Sequence, residues 1–166
     1  ATITTGDEAA FSTLLTNEGT NNNISITDQN LTVSSGTISV DNANLLNATT
    51  TGTVTAAIDL TEDVDELATL SGTGAYTIVI ASGDATGSTA AEFNTINSAT
   101  TVAIDASAVT ALASSNLSDV KTLLTAANDT DQFTDSTGKV SFGGLTAVAI
   151  ADTTVDVSDF NAAVTQ

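Results

Sequence analysis

Val54-Thr-Ala-Ala-Ile58 runs into Asp59-Leu-Thr61-Glu-Asp-Val64-Asp-Glu-Leu67-Ala-Thr-Leu70, and the reading of this stretch decides the fold. Val54, Ala56 and Ile58 recur with a period of two, which puts them on one face of a strand. Val64, Leu67 and Leu70 then fall at i, i+3 and i+6, one face of a helix. Thr61 stands between the two patterns as an N-cap. The stretch therefore reads as strand, cap, short helix.

The same order recurs along the chain. Further strand cores are Ile38-Ser39-Val40, Tyr76 to Ile80 and Val102-Ala103-Ile104, followed by Val148-Ala149-Ile150 and Val155-Asp156-Val157. Helical faces are marked by Phe11, Leu14 and Leu15, by Phe93 and Ile96, and by Val120 and Leu124. Caps are expected at Asp41 before Leu45-Leu46 and at Asp105 before Val109 and Leu112. Thr89-Ala-Ala-Glu92 has the form of a capping box. Strand ends at Val40, Ile58, Ile80 and Ile104 lie 18, 22 and 24 residues apart. That is short for a crossover with a long helix and suits one turn of a repeat array.

These spacings predict an α/β chain: a solenoid-like stack of short strand and short helix repeats with a parallel sheet. Residues 1–166 read as a single repeat-built domain or a fragment of a longer array. The segment from Asp105 to Asn128 is expected to hold two helices broken at Ser114-Ser115-Asn116, and Asn128 to Gly138 a loop. An all-β sandwich is the alternative that the Thr and Val content supports, and the capped helical faces argue against it.

Composition narrows the function. Against 20 carboxylates stand two cations, Lys121 and Lys139, for a net charge of −18. Only 13% of residues are charged and mean hydropathy is positive, so the chain folds despite its acidity, around small aliphatics with Phe11, Phe93, Phe133, Phe142 and Phe160. No Lys/Arg cluster exists to meet phosphates, which excludes nucleic acid and disfavours anionic membrane surfaces. No apolar run reaches the length of a membrane span. The start at Ala1, with no signal-like segment, reads as a processed form or an excised piece.

Runs such as Thr37-Ile-Ser-Val-Asp-Asn-Ala-Asn-Leu-Leu46 and Thr101-Val-Ala-Ile-Asp-Ala-Ser-Ala-Val-Thr-Ala-Leu112 resemble the degenerate repeats of giant secreted bacterial surface proteins. These are adhesins and S-layer-like proteins of marine bacteria and cyanobacteria. The resemblance spans about residues 37 to 127. It implies export to the cell surface and a structural or adhesive role. The calcium nonapeptide of that group, Gly-Gly-x-Gly-x-Asp, is absent, and Gly83-Asp84-Ala-Thr-Gly87 is a faint echo of it.

The absence of His and Cys removes the commonest catalytic base, the thiol nucleophile and the usual transition-metal ligands. Paired carboxylates could serve a glycosidase, but few aromatics are present to hold a sugar. A Ser-Lys pair using Lys121 or Lys139 has nothing else in its favour. The chain reads as a non-enzyme.

Calcium is the cofactor the sequence suggests. Asn128, Asp129, Asp131 and Asp135 offer hard oxygen ligands in one loop-like stretch with Gly138, although without the EF-hand order. A second acidic cluster, Glu62, Asp63, Asp65 and Glu66, suits the first turn of a helix, where carboxylates complement the dipole. Thr2-Ile-Thr4 and Thr53-Val-Thr55 have the T-x-T form of ice-binding faces. The other strands are not expected to supply matching rows, so Thr reads as an ordinary exposed strand residue. Five glycosylation sequons, beginning with Asn23-Ile-Ser and Asn30-Leu-Thr, are expected by chance in so Asn-, Ser- and Thr-rich a chain. With no polar cap visible at either end, the expected partners are further copies of the chain or neighbouring repeats.

Overall fold

The computed structural model describes residues 2–20, 25–81, 87–128, 140–141, 146–158 and 161. Eight strands and five helices occur among them: β1 (Thr2–Thr5), α1 (Glu8–Thr20), β2 (Asn30–Val33), α2 (Val40–Thr49), β3 (Val54–Ala57), α3 (Val64–Leu67), β4 (Ala75–Thr77), α4 (Ala90–Ala99), β5 (Ile104–Asp105), β6 (Ala111–Ser115), α5 (Leu117–Asn128), β7 (Val140–Ser141) and β8 (Ala147–Ile150). The protein is a mixed α/β structure.

Strands β1, β2, β3 and β4 form one sheet in chain order, and every pairing is parallel. Thr2 pairs with Asn30, Leu31 with Val54, and Thr55 with Ala75. Lone parallel bridges join Ile38 to Ile58, Gly74 to Thr100 and Val79 to Asp105. Further along, β5 pairs with β7 and β6 with β8, again in parallel. Parallel neighbours need a long return connection, and the helices supply it.

The alternation seen in sequence becomes the two faces of the sheet. Leu31, Val54, Ala56 and Tyr76 point into the core, while Asn30, Thr55 and Thr77 are exposed. Helices close the other side of that core with Ala43 and Leu46 of α2, Val64 and Leu67 of α3, and Phe93 and Ile96 of α4. Phe11 and Phe93 are buried as expected; Phe133, Phe142 and Phe160 lie outside the described residues. Tyr76 is fully buried, and burial pushes its phenol up to about 12. Its ring lies over Gly74, where an added Cβ would come within 2.4 Å of it.

Several boundaries differ from the sequence reading. α2 begins at Val40, and Ser39 caps it by accepting from the Asn42 amide at 3.3 Å. Ile38 alone keeps a bridge, and Asp41 lies inside the first turn. The cap of α3 is Asp63 rather than Thr61: Asp63 accepts from the Glu66 amide, and Glu66 returns to the Asp63 amide. Thr61 instead donates to Asp59. The Thr89 capping box of α4 is present as read.

The largest difference follows Asp105. Asp105 turns back to accept from the Ser107 amide at 2.9 Å, a local turn and not a helix cap. Ala111–Ser115 is then a strand, because β8 lies alongside it. Helix propensity in this Ala-rich run yields to that pairing. One helix, α5, follows in place of two. Asn30–Val33 is a strand that the sequence reading did not single out. Val155-Asp156-Val157 is not one; Asp156 accepts from the Ser158 amide at 2.7 Å where a helical turn begins.

Two threonines hold the corners where α2 and α4 end. Thr100 is fully buried; its hydroxyl lies 2.7 Å from the Tyr76 carbonyl and accepts from the Tyr76 and Val102 amides at 3.0 and 3.1 Å. Thr50 does the same against β2, reaching the Gln29 carbonyl at 2.6 Å and accepting from the Gly52 amide. Thr100→Val keeps the shape and leaves these buried groups unpaired. It is expected to lower stability by about 2–4 kcal/mol in urea unfolding followed by circular dichroism, with Thr100→Ser losing about 1 kcal/mol.

Candidate functional site

The acidic cluster at the start of α3 is structural. Asp63 and Glu66 close their capping box, and Glu62 reaches across to α2, where its Oε1 accepts from the Val40 amide at 3.2 Å. Burial pushes the Glu62 carboxyl up, the Val40 hydrogen bond opposes that shift, and the nearby Glu66 charge adds to it.

This reach across to a neighbouring helix recurs. The first amide of α4, Ala90, donates to Ser115 Oγ at 2.9 Å. The first amide of α5, Leu117, donates to Asp152 Oδ2 at 2.6 Å. α2 is held from its other side too, since Asn42 and the Ser39 amide both donate to Glu8. Helix N-termini leave unsatisfied amides and a partial positive charge. For the first amides of α2, α4 and α5 a later segment supplies the acceptor, and α2 has a second one in the earlier Glu8.

Asparagines make a second set of cross-links on the helices. Asn44 donates to the Thr69 carbonyl at 3.1 Å and accepts from the Ser71 amide at 2.7 Å, while Asn94 donates to the Asp119 carbonyl at 3.0 Å. These residues sit at matching places in α2 and α4, where Asn44-Leu-Leu-Asn47 parallels Asn94-Thr-Ile-Asn97.

Three of the four residues of the calcium set, Asp129, Asp131 and Asp135, lie outside the described residues, and Asn128 is the last residue of α5. Among the described residues no group of three or more carboxylates is placed to hold a metal ion. Lys121, the cation considered for a Ser-Lys pair, lines a cleft of about 220 Å³ with Ser118, Asp152 and Asp156. Asp152 in that cleft is committed to the α5 cap. Lys139 lies outside the described residues.

No family model, curated protein or solved structure matches this chain. The geometry alone therefore carries the functional reading.

The sheet face shows what the sequence reading missed. Asn30-Leu-Thr32 lies between Thr2-Ile-Thr4 and Thr53-Val-Thr55, with Thr4 paired to Thr32 and Thr32 to Thr55. Asn30 Oδ1 accepts from the Thr53 amide at 2.9 Å, tying the first row together. The expectation that other strands supply no matching row is corrected for β2, whose run carries Asn in place of the first Thr, and holds for β4, where Ala75 stands opposite Thr55. Only the register reveals it.

The Glu62 arrangement gives a signed pH dependence. Its folded-state pKa is raised, so just above the ordinary glutamate range the native chain holds more protons than the unfolded one, and stability falls as pH rises through that window. Glu62→Gln keeps an oxygen for the Val40 amide and removes the charge. Its urea midpoint at pH 7 is expected to equal or exceed that of the parent, without that part of the pH dependence. A clear loss of stability at pH 7 would show that the carboxylate charge itself is required.

Proposed function

We propose that this chain is a structural module of an extracellular surface layer, adhesin stalk or filament, built as a solenoid-like stack and associating with further copies or neighbouring repeats. The observation that carries the reading is the interlock between successive strand–helix units. Parallel strand pairs join one unit to the next, and acceptors from a later unit cap an earlier helix. In a stack of this kind each unit completes its neighbour's hydrogen bonds, so the array resists being pulled apart one unit at a time.

Three features support the role. Among the described residues no helix is long and apolar enough to cross a membrane. The net charge of −18 suits a surface that stays soluble and attracts cations. Side-chain chemistry suited to catalysis is sparse: the chain lacks His and Cys, so the reading is of a non-enzyme. Calcium is proposed as a stabiliser on the acidic stretch of Asn128, Asp129, Asp131 and Asp135.

The test is the molar mass of the purified chain by multi-angle light scattering, in chelator and then with calcium raised to millimolar levels. Growth into large elongated species is expected, and its dependence on calcium is expected to disappear when Asp129, Asp131 and Asp135 are changed to Asn. A compact monomer at every calcium concentration contradicts both self-association and the metal.

A further inference from the structure

The outer face of the β1–β4 sheet differs from the rest of the molecule in charge, in hydroxyl chemistry and in regularity. None of the 20 carboxylates and neither lysine falls within the four strands. Thr2, Asn30, Thr53, Thr55 and Thr77 are exposed on this face and Thr32 is half-buried there. In a chain of net charge −18, this is a neutral surface of hydroxyl, methyl and amide groups.

The hydroxyls here are also uncommitted. On the helices, Thr13, Thr16, Thr49, Thr95 and Thr122 donate to the carbonyl one turn back. The corner residues Thr50 and Thr100 donate to backbone carbonyls. By contrast, the hydroxyls of Thr2, Thr32, Thr53, Thr55 and Thr77 have no protein partner among the described residues. Their hydrogen-bonding capacity is directed at whatever lies outside the sheet.

Regularity identifies the partner. Parallel pairing in register sets neighbouring residues of a row about 4.8 Å apart, and residues i and i+2 of one strand about 6.6 Å apart. The first row runs Thr2, Asn30 and Thr53, the residue just before β3, and the second Thr4, Thr32 and Thr55; the second ends at β3, where Ala75 of β4 stands opposite Thr55. A two-dimensional lattice of uncharged hydroxyls and methyls matches a partner that is itself neutral, periodic and made of hydrogen-bonding oxygens. The side-chain bond from Asn30 to the Thr53 amide is a cross-strand ladder of the type that opposes sheet twist. A polysaccharide fits less well, because sugar faces stack on aromatics and Tyr76, the aromatic of these strands, is turned into the core.

We propose that this face adsorbs to ice, with the threonine and asparagine rows holding ordered water in a lattice continuous with the crystal surface. Hydroxyls anchor the first water layer by direct hydrogen bonds, and the methyl groups between them confine its orientation. The inference rests on the sheet register and does not depend on the scaffold reading.

The experiment measures how the whole chain partitions into slowly growing polycrystalline ice, together with the freezing-point hysteresis of its solutions. The parent is expected to enter the ice and to shape growing crystals. Thr55→Lys, which sets a long charged side chain at the β3 edge of the array, is expected to abolish both. Thr122→Lys, on exposed α5 surface away from the sheet, is expected to leave both intact. Thr55→Ala, which conserves the strand's shape, is expected to weaken adsorption with an unchanged circular dichroism spectrum. Exclusion of the parent chain from ice overturns the proposal. So does undiminished adsorption by both Thr55 variants, or retention on crystalline cellulose with none on ice.

Discussion

The hydroxyls of Thr50 and Thr100 set the condition that the rest of the structure meets. Where a helix ends inside a stacked structure, the chain must turn back into the sheet, and its backbone groups leave both the helix and the ladder there. Buried polar groups left alone are costly. A threonine side chain reaching the carbonyls of an adjacent strand solves this at both corners, with the next residue but one donating back to it. Once these corners are fixed, the return of α2 and of α4 towards the sheet is fixed as well.

The helix N-termini obey the same constraint from the opposite side. Glu62, Ser115 and Asp152 each leave their own segment to accept from the first amide of an earlier helix. That explains why so acidic a chain tolerates carboxylates near its core: each meets a donor. Glu92 behaves similarly within its own capping box. Burial would raise its carboxyl, yet the Thr89 backbone and hydroxyl bonds hold it below the ordinary value. Two proposals stand on this frame, a stacking module and an ice-facing sheet, and they use different surfaces.

The elements with the strongest periodicity were legible in the sequence. Val54 to Ala57, the Val64 and Leu67 face of α3, the face of α4 and the Thr89 capping box fall where they were read, because in each case local propensity and burial agree; Leu70 is buried but lies past the end of α3. Legibility failed where a distant partner decides. Ala111–Ser115 carries helix-forming residues and is a strand because β8 lies beside it. Ser39 displaced Asp41 as a cap because Ile38 is the last residue tied to the neighbouring strand. The T-x-T rows were visible as motifs, but the Asn30 row between them needed the register to be recognised. The caps offered by Glu62 and Asp152 had no sequence signal, since the offset to the helix whose amide they accept from varies from unit to unit.

Parallel register between successive units underlies both the stack and the threonine rows. Scalar couplings across hydrogen bonds, measured by NMR on the isotope-labelled chain, read that register directly. The structure predicts couplings from the Leu31 amide to the Thr53 carbonyl, from Ile38 to Ala57, from Ile58 to Thr77 and from Ile80 to Asp105. Observing these four together would establish the unit-to-unit ladder. Couplings that instead pair these strands in antiparallel order, as in a sandwich, would contradict it.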